Sequence, residues 1–97
     1  MGELLAFSET ARDVWARMME GFVTETTAAI ETERAHGTAP DGVPARELAI
    51  ALNWMTERIF QTTLCQQRPW INDDKVLDVL EGIWLRAIYG MGNSLPQ

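Results

Sequence analysis

The chain is poor in almost everything that reactive chemistry draws on. It holds a single cysteine, Cys65, and a single histidine, His36. One thiol excludes an intramolecular disulfide, and one His with one Cys at different helix ends cannot build a tetrahedral N/S metal site. No Ser or Cys has a base nearby in sequence, and no glycine-rich phosphate loop occurs, so nucleophilic and phosphoryl-transfer catalysis lack their usual parts. His36 reads as a helix C-terminal residue near the dipole, and Cys65 as a small apolar filler. Glu31, Glu33 and Glu57 lie on helices, where carboxylates are ordinarily solvated. The expectation is no enzyme, no cofactor and no metal.

Basic residues are also scarce. Eight Lys and Arg stand against 14 Asp and Glu, for a net charge of −6 and a pI near 4.6. Affinity for nucleic acid needs clustered cations, so this chain by itself is not expected to bind DNA. No long hydrophobic run is present, which argues against a signal segment and a membrane span, and the expected location is cytoplasmic. Period-2 alternation, internal repeats and low-complexity runs are absent too. Ninety-seven residues with 46% hydrophobic side chains therefore make one globular helical domain.

What is there is helical periodicity, in three stretches. Residues 8–36 carry Trp15, Met19, Phe22, Thr26, Ile30 and Glu33 on one stripe. Ser8 or Thr10 offers an N-cap, and Gly37 a C-terminal stop. That stripe reads either as core or as the wall of a wide apolar pocket. A loop, TAPDGV, leads to Pro44, suited to a first helical turn.

The central stretch, 44–65, has three different faces. Leu48, Leu52, Met55 and Ile59 form a core stripe. Asn53 and Thr56 beside it are hydrogen-bonding groups in apolar company, open to a structural or a ligand-binding role. Opposite lies a charged arc of Arg46, Glu47, Glu57, Arg58 and Gln61. Ile50 and Trp54 sit within that arc, where apolar groups point to a partner surface. In the third stretch, Asn72 or Asp73 is a candidate cap. Val76, Leu77, Val79, Leu80, Ile83, Trp84, Ala87 and Ile88 make a broad buried arc, with Gly82, Leu85 and Tyr89 facing away. A glycine between Leu and Tyr lets another helix come close, so the expected dimer surface is Ile50, Trp54, Gly82, Leu85 and Tyr89. Gly90 and Gly92 end the helix, and 93–97 reads as a loose tail.

The ordered set DVWARMMEGFVTETTAAIETERAHGTAP, VPARELAIALNWMTERIF and KVLDVLEGIWLRAIYG resembles the C-terminal half of TetR-family transcriptional repressors, nearest the EthR-like regulators. The likeness covers about residues 13–90. It implies an all-α regulatory domain of one long helix and a two-helix hairpin, the hairpins of two copies forming a dimeric four-helix bundle. It also implies a small apolar effector as ligand, with Trp15, Met19, Phe22, Thr26, Asn53, Thr56 and Trp84 as pocket positions. Phe22 and Thr56 stand where the family pattern has Trp and Asn, so pocket shape and polarity should differ.

TetR repressors begin with a helix-turn-helix domain, and none is encoded in residues 1–97. The expectation is a TetR-like ligand-binding and dimerisation region over the whole chain, with DNA reached only through an N-terminal domain outside it. A stand-alone helical dimerisation protein without ligand is the alternative. In a chain lacking the other pocket walls, Trp15, Met19, Phe22 and Trp84 should be left open or be covered by a second copy, the long helix packing on a neighbouring chain.

Overall fold

The structure, a computed structural model, describes residues 2–90, with side chains from residue 9 onward. It is all-α: α1 (Gly2–Ala35), α2 (Ala45–Cys65) and α3 (Val76–Tyr89). The expected loose tail at 93–97 lies outside the described residues.

The helix ends follow from local chemistry at the C-termini. Gly37 adopts φ 81° just past α1, and Thr38 and Ala39 return their N–H groups to Glu33 O at 3.0 and 3.2 Å. Gly90 does the same for α3, at φ 66° with its N–H on Arg86 O. Positive φ costs an L-residue steric strain that glycine escapes. Gln66 closes α2 in the same left-handed conformation without being glycine, and Gln67 N donates to Thr62 O at 3.0 Å. The starts differ from expectation. Thr10 and Ser8 lie inside α1, which runs through them from Gly2. Asn72 does not cap α3 with its side chain. Its carbonyl instead accepts from Lys75 N and Val76 N, a turn that delays the helix to Val76.

Three helices lie nearly in one layer. The molecule measures 57 × 30 × 16 Å, and 16 Å is little more than one helix with its side chains. A single layer cannot enclose a two-sided core. The chain accordingly exposes 7275 Å², against roughly 5,600 Å² for a compact protein of its mass by the usual scaling.

The core that does form sits where α1 crosses the start of α2: Val23, Ile30, Ala45 and Ala49, with Leu48, Ile50 and Ile88 packed around it. Ala49 is 0% exposed. Small side chains let the two helix backbones approach, so the buried row of α2 is Ala45, Ala49, Leu52 and Thr63. It is not the predicted Leu48–Leu52–Met55–Ile59 row, whose other three members are half-buried at its margin. In α3, Val76 and Leu80 are buried. Leu77, Val79 and Ile83, predicted to be inside, are exposed, because no second layer covers them.

Arg46 on α2 reaches Glu20 on α1 with both guanidinium nitrogens at 3.0 Å. The hydrogen bond and the charge of Arg46 hold the Glu20 carboxyl below its ordinary pKa, and Glu20 raises Arg46 in turn. Both groups are exposed, so screening keeps the pair weak. A carboxylate whose pKa is lowered by folding stabilises at neutral pH and loses that contribution as pH falls through the lowered value. Arg46→Met is expected to leave the thermal midpoint nearly unchanged at pH 7. It should also make the loss of stability below the ordinary carboxylate range slightly shallower, as read from melts across an acid series.

Candidate functional site

The largest opening lies between the middle of α1 and the C-terminal half of α2. It is a cavity of about 500 Å³, within the range of small-molecule sites. From α1 come Trp15, Met19 and Phe22, one per turn of the stripe. From α2 come Asn53, Thr56, Glu57 and Phe60, then Gln61, Leu64 and Cys65. Met19 forms the buried floor, while Trp15 at 39%, Phe22 at 47% and Leu64 at 81% exposure stand open to solvent. The cavity is therefore a groove with one side uncovered, and its lining is almost wholly apolar.

Four polar side chains interrupt that lining, Asn53, Thr56, Glu57 and Gln61, and two of them are tied to neighbouring helices. Asn53 Nδ2 donates to Thr26 Oγ1 at 3.1 Å and to Ala49 O at 2.8 Å. Both amide protons are thus spent, and Oδ1 remains as an acceptor. It is not sealed in, since the buried side-chain polar atom without a partner among the described residues is Arg34 Nε. Thr56 Oγ1 accepts from Trp84 Nε1 at 2.8 Å. Thr27 and Thr62 give their hydroxyl protons to helix carbonyls. Thr56 does not, and keeps its proton for an acceptor. One acceptor and one donor, three residues apart on α2, are what Asn53 and Thr56 offer a ligand, with the Glu57 carboxylate and the Gln61 amide on the same lining.

Of the residues singled out from the sequence, Trp15, Met19, Phe22, Asn53 and Thr56 meet in this groove. Thr26 and Trp84 instead line a neighbouring cavity between α1 and α3, joined to the first by the two hydrogen bonds above. Phe60 and Leu64 enter the groove by continuing the Asn53 row at later turns, Glu57 and Gln61 line it although they were expected on the charged arc opposite, and Cys65, expected as an apolar filler, is exposed. Of the partner-surface residues, Trp54 and Leu85 are exposed, and a Cβ added at Gly82 would meet nothing within 4 Å. Ile50 packs against the core of its own chain. Tyr89 is half-buried with its hydroxyl toward Glu33, and burial first, then that carboxylate, push its pKa up.

Thr56→Val tests the α2–α3 tie. It removes the acceptor of a half-buried indole N–H, a loss worth about 1 kcal/mol. The expected result is a correspondingly lower urea midpoint at unchanged slope, with the Trp84 indole proton signal shifted.

The site is thus an open, mostly apolar groove on a thin all-α domain, beside an exposed apolar helix face. Residues 3–90 match the model of the family described as the C-terminal domain of the transcriptional regulator EthR, and the chain belongs to that family. It is 39% identical over 88 residues to the HTH-type transcriptional regulator EthR of Mycolicibacterium smegmatis, covering 91% of this chain and 41% of that protein. It is 39% identical over 85 residues to the proteins of the same name from Mycobacterium tuberculosis and Mycobacterium bovis, covering 88% of this chain and 39% of each. The chain thus spans about two fifths of the length of these relatives. The resemblance carried by the ordered motifs is borne out, as is the three-helix, all-α fold.

Proposed function

We propose that this chain is the effector-binding and dimerisation region of a TetR-type transcriptional repressor, with DNA binding residing in a part of the regulator outside these residues. The observation that carries the reading is the groove of about 500 Å³, with Asn53 and Thr56 set in a mostly apolar wall that Glu57 and Gln61 also reach. It suits a small, mostly apolar molecule with one carbonyl or hydroxyl group. Such a ligand regulates by binding one of two conformations better than the other. The Asn53–Thr26 and Thr56–Trp84 hydrogen bonds connect the groove wall to α1 and α3, so displacing either bond biases how the helices sit. No helix among the described residues is long and apolar enough to cross a membrane, in keeping with a cytoplasmic regulator. The relatives are transcriptional regulators by name, and the role proposed for this chain is likewise regulatory rather than enzymatic.

The dimer surface in this reading is the exposed apolar face of the hairpin: Trp54 on α2, with Val79, Gly82, Ile83 and Leu85 on α3. Two copies closing there through a two-fold axis give a four-helix bundle. Met19→Trp tests the ligand half of the proposal by filling the groove from its floor. Saturable binding of a neutral apolar dye should disappear while helical circular dichroism stays. Dye affinity unchanged by the substitution would place the dye elsewhere and remove the basis for the reading.

A further inference from the structure

The second cavity, about 280 Å³ between α1 and α3, differs in chemistry from the first. Its floor is apolar, from Ile30 and Ile88. Its walls pair two carboxylates of α1, Glu25 and Glu33, with two aromatic rings of α3, Trp84 and Tyr89. No Lys, Arg or His lines it. The ion pair among the described residues is Arg46–Glu20, so neither carboxylate of this cavity is neutralised. Glu33 is half-buried, and its carboxylate accepts from the hydroxyl of Thr38. A carboxylate has about four acceptor sites, which leaves capacity for another donor. Burial, and after it the Glu33 charge, push the Tyr89 phenol up in pKa.

Carboxylates and aromatic rings lining one cavity attract one kind of ligand. Each aromatic face carries a negative quadrupole, and a cation over it within about 6 Å is favoured, more so when partly desolvated. We infer that the cavity between α1 and α3 is a binding site for an organic ammonium cation with an apolar body, the charge lying between Glu33 and the rings of Tyr89 and Trp84 and the body on Ile30 and Ile88. Glu25, two turns away on the same face of α1, is about 12 Å along the helix from Glu33. It therefore acts on a monocation through the longer-range field rather than by contact. The inference stands whether or not the α1–α2 groove takes an effector, since none of its argument uses that groove.

The test uses the whole chain and two probes of matched shape, benzyltrimethylammonium and its uncharged carbon analogue neopentylbenzene. Binding is followed by the indole and phenol ring signals of Trp84 and Tyr89 in NMR spectra. The cation should shift both in a saturable way and bind at least about tenfold more tightly than the neutral probe, an advantage that falls with added salt. Glu33→Gln should weaken the cation about tenfold and leave the neutral probe unaffected. Glu25→Gln, at an exposed position where folding is not at stake, should weaken it by a smaller factor of about two to three. Equal affinity for the two probes, cation-induced shifts at Trp15 and Met19 instead of Trp84 and Tyr89, or affinity within twofold of the unaltered chain in both Gln variants would each overturn the inference.

Discussion

Ile30→Ala should lower the unfolding free energy by about 2–5 kcal/mol, the range for emptying a fully buried aliphatic site. Ile30 is 1% exposed and the largest fully buried side chain among the described residues. It sits in the buried cluster that ties α1 to α2, and among the described residues the single-layer architecture offers little other buried packing to replace it. A domain of this length has only about 5–15 kcal/mol in total, so the substitution removes a large share. The contrast is Leu77→Ala: Leu77 is 66% exposed, and its truncation should change stability by no more than about 0.5 kcal/mol. Urea unfolding of both variants reads the difference. Similar losses for the two would mean that the core is not where α1 crosses α2.

Gly82→Leu should have opposite effects on the chain and on its assembly. Within the chain, a Cβ at Gly82 meets open space, and exchanging glycine for a good helix former inside α3 stabilises the helix by about 0.5–1 kcal/mol. In the proposed two-fold contact the same side chain would enter twice and hold the helices apart. The dimer dissociation constant is expected to rise on the order of 100-fold, or about 2.8 kcal/mol at 1.4 kcal/mol per factor of ten. Sedimentation should show monomer at concentrations where the unaltered chain is dimeric, with helical signal equal or greater. A variant that stays dimeric would move the interface off this face of α3.

The parts of the fold legible in the sequence were those decided within a few residues. Gly37 and Gly90 stop helices because left-handed backbone is cheap only there, a property visible without any tertiary contact. The α2 core row was misplaced for the converse reason. Leu48, Met55 and Ile59 are the more hydrophobic choice, yet close approach of α1 selects Ala45 and Ala49, and backbone distance is not written in hydropathy. Val79 and Ile83 look buried by type. Only the 16 Å thickness explains their exposure.

The groove followed the same division. Trp15, Met19 and Phe22 share a face by the helical period alone, and Asn53 and Thr56 stand out as polar residues next to a core row. That Thr26 and Trp84 belong to the adjoining cavity depends on how α3 lies across the other two helices, which no local pattern specifies. Phe60 and Leu64 could have been found by extending the Asn53 row through its next two turns. The carboxylate-lined cavity could not, since Glu25 and Glu33 read as solvated surface until Trp84 and Tyr89 are brought opposite them.

The most direct measurement of the central claim, that the groove between α1 and α2 receives a small apolar ligand, is a titration of the methyl-labelled methionines. Met19 lines the groove, while Met18, one residue away, is exposed and takes no part in it. With a neutral aromatic amide as probe, the Met19 methyl signal should shift to saturation at one ligand per chain, with Met18 essentially still. Shifts that grow linearly without saturating, or that are as large at Met18 as at Met19, would contradict the account.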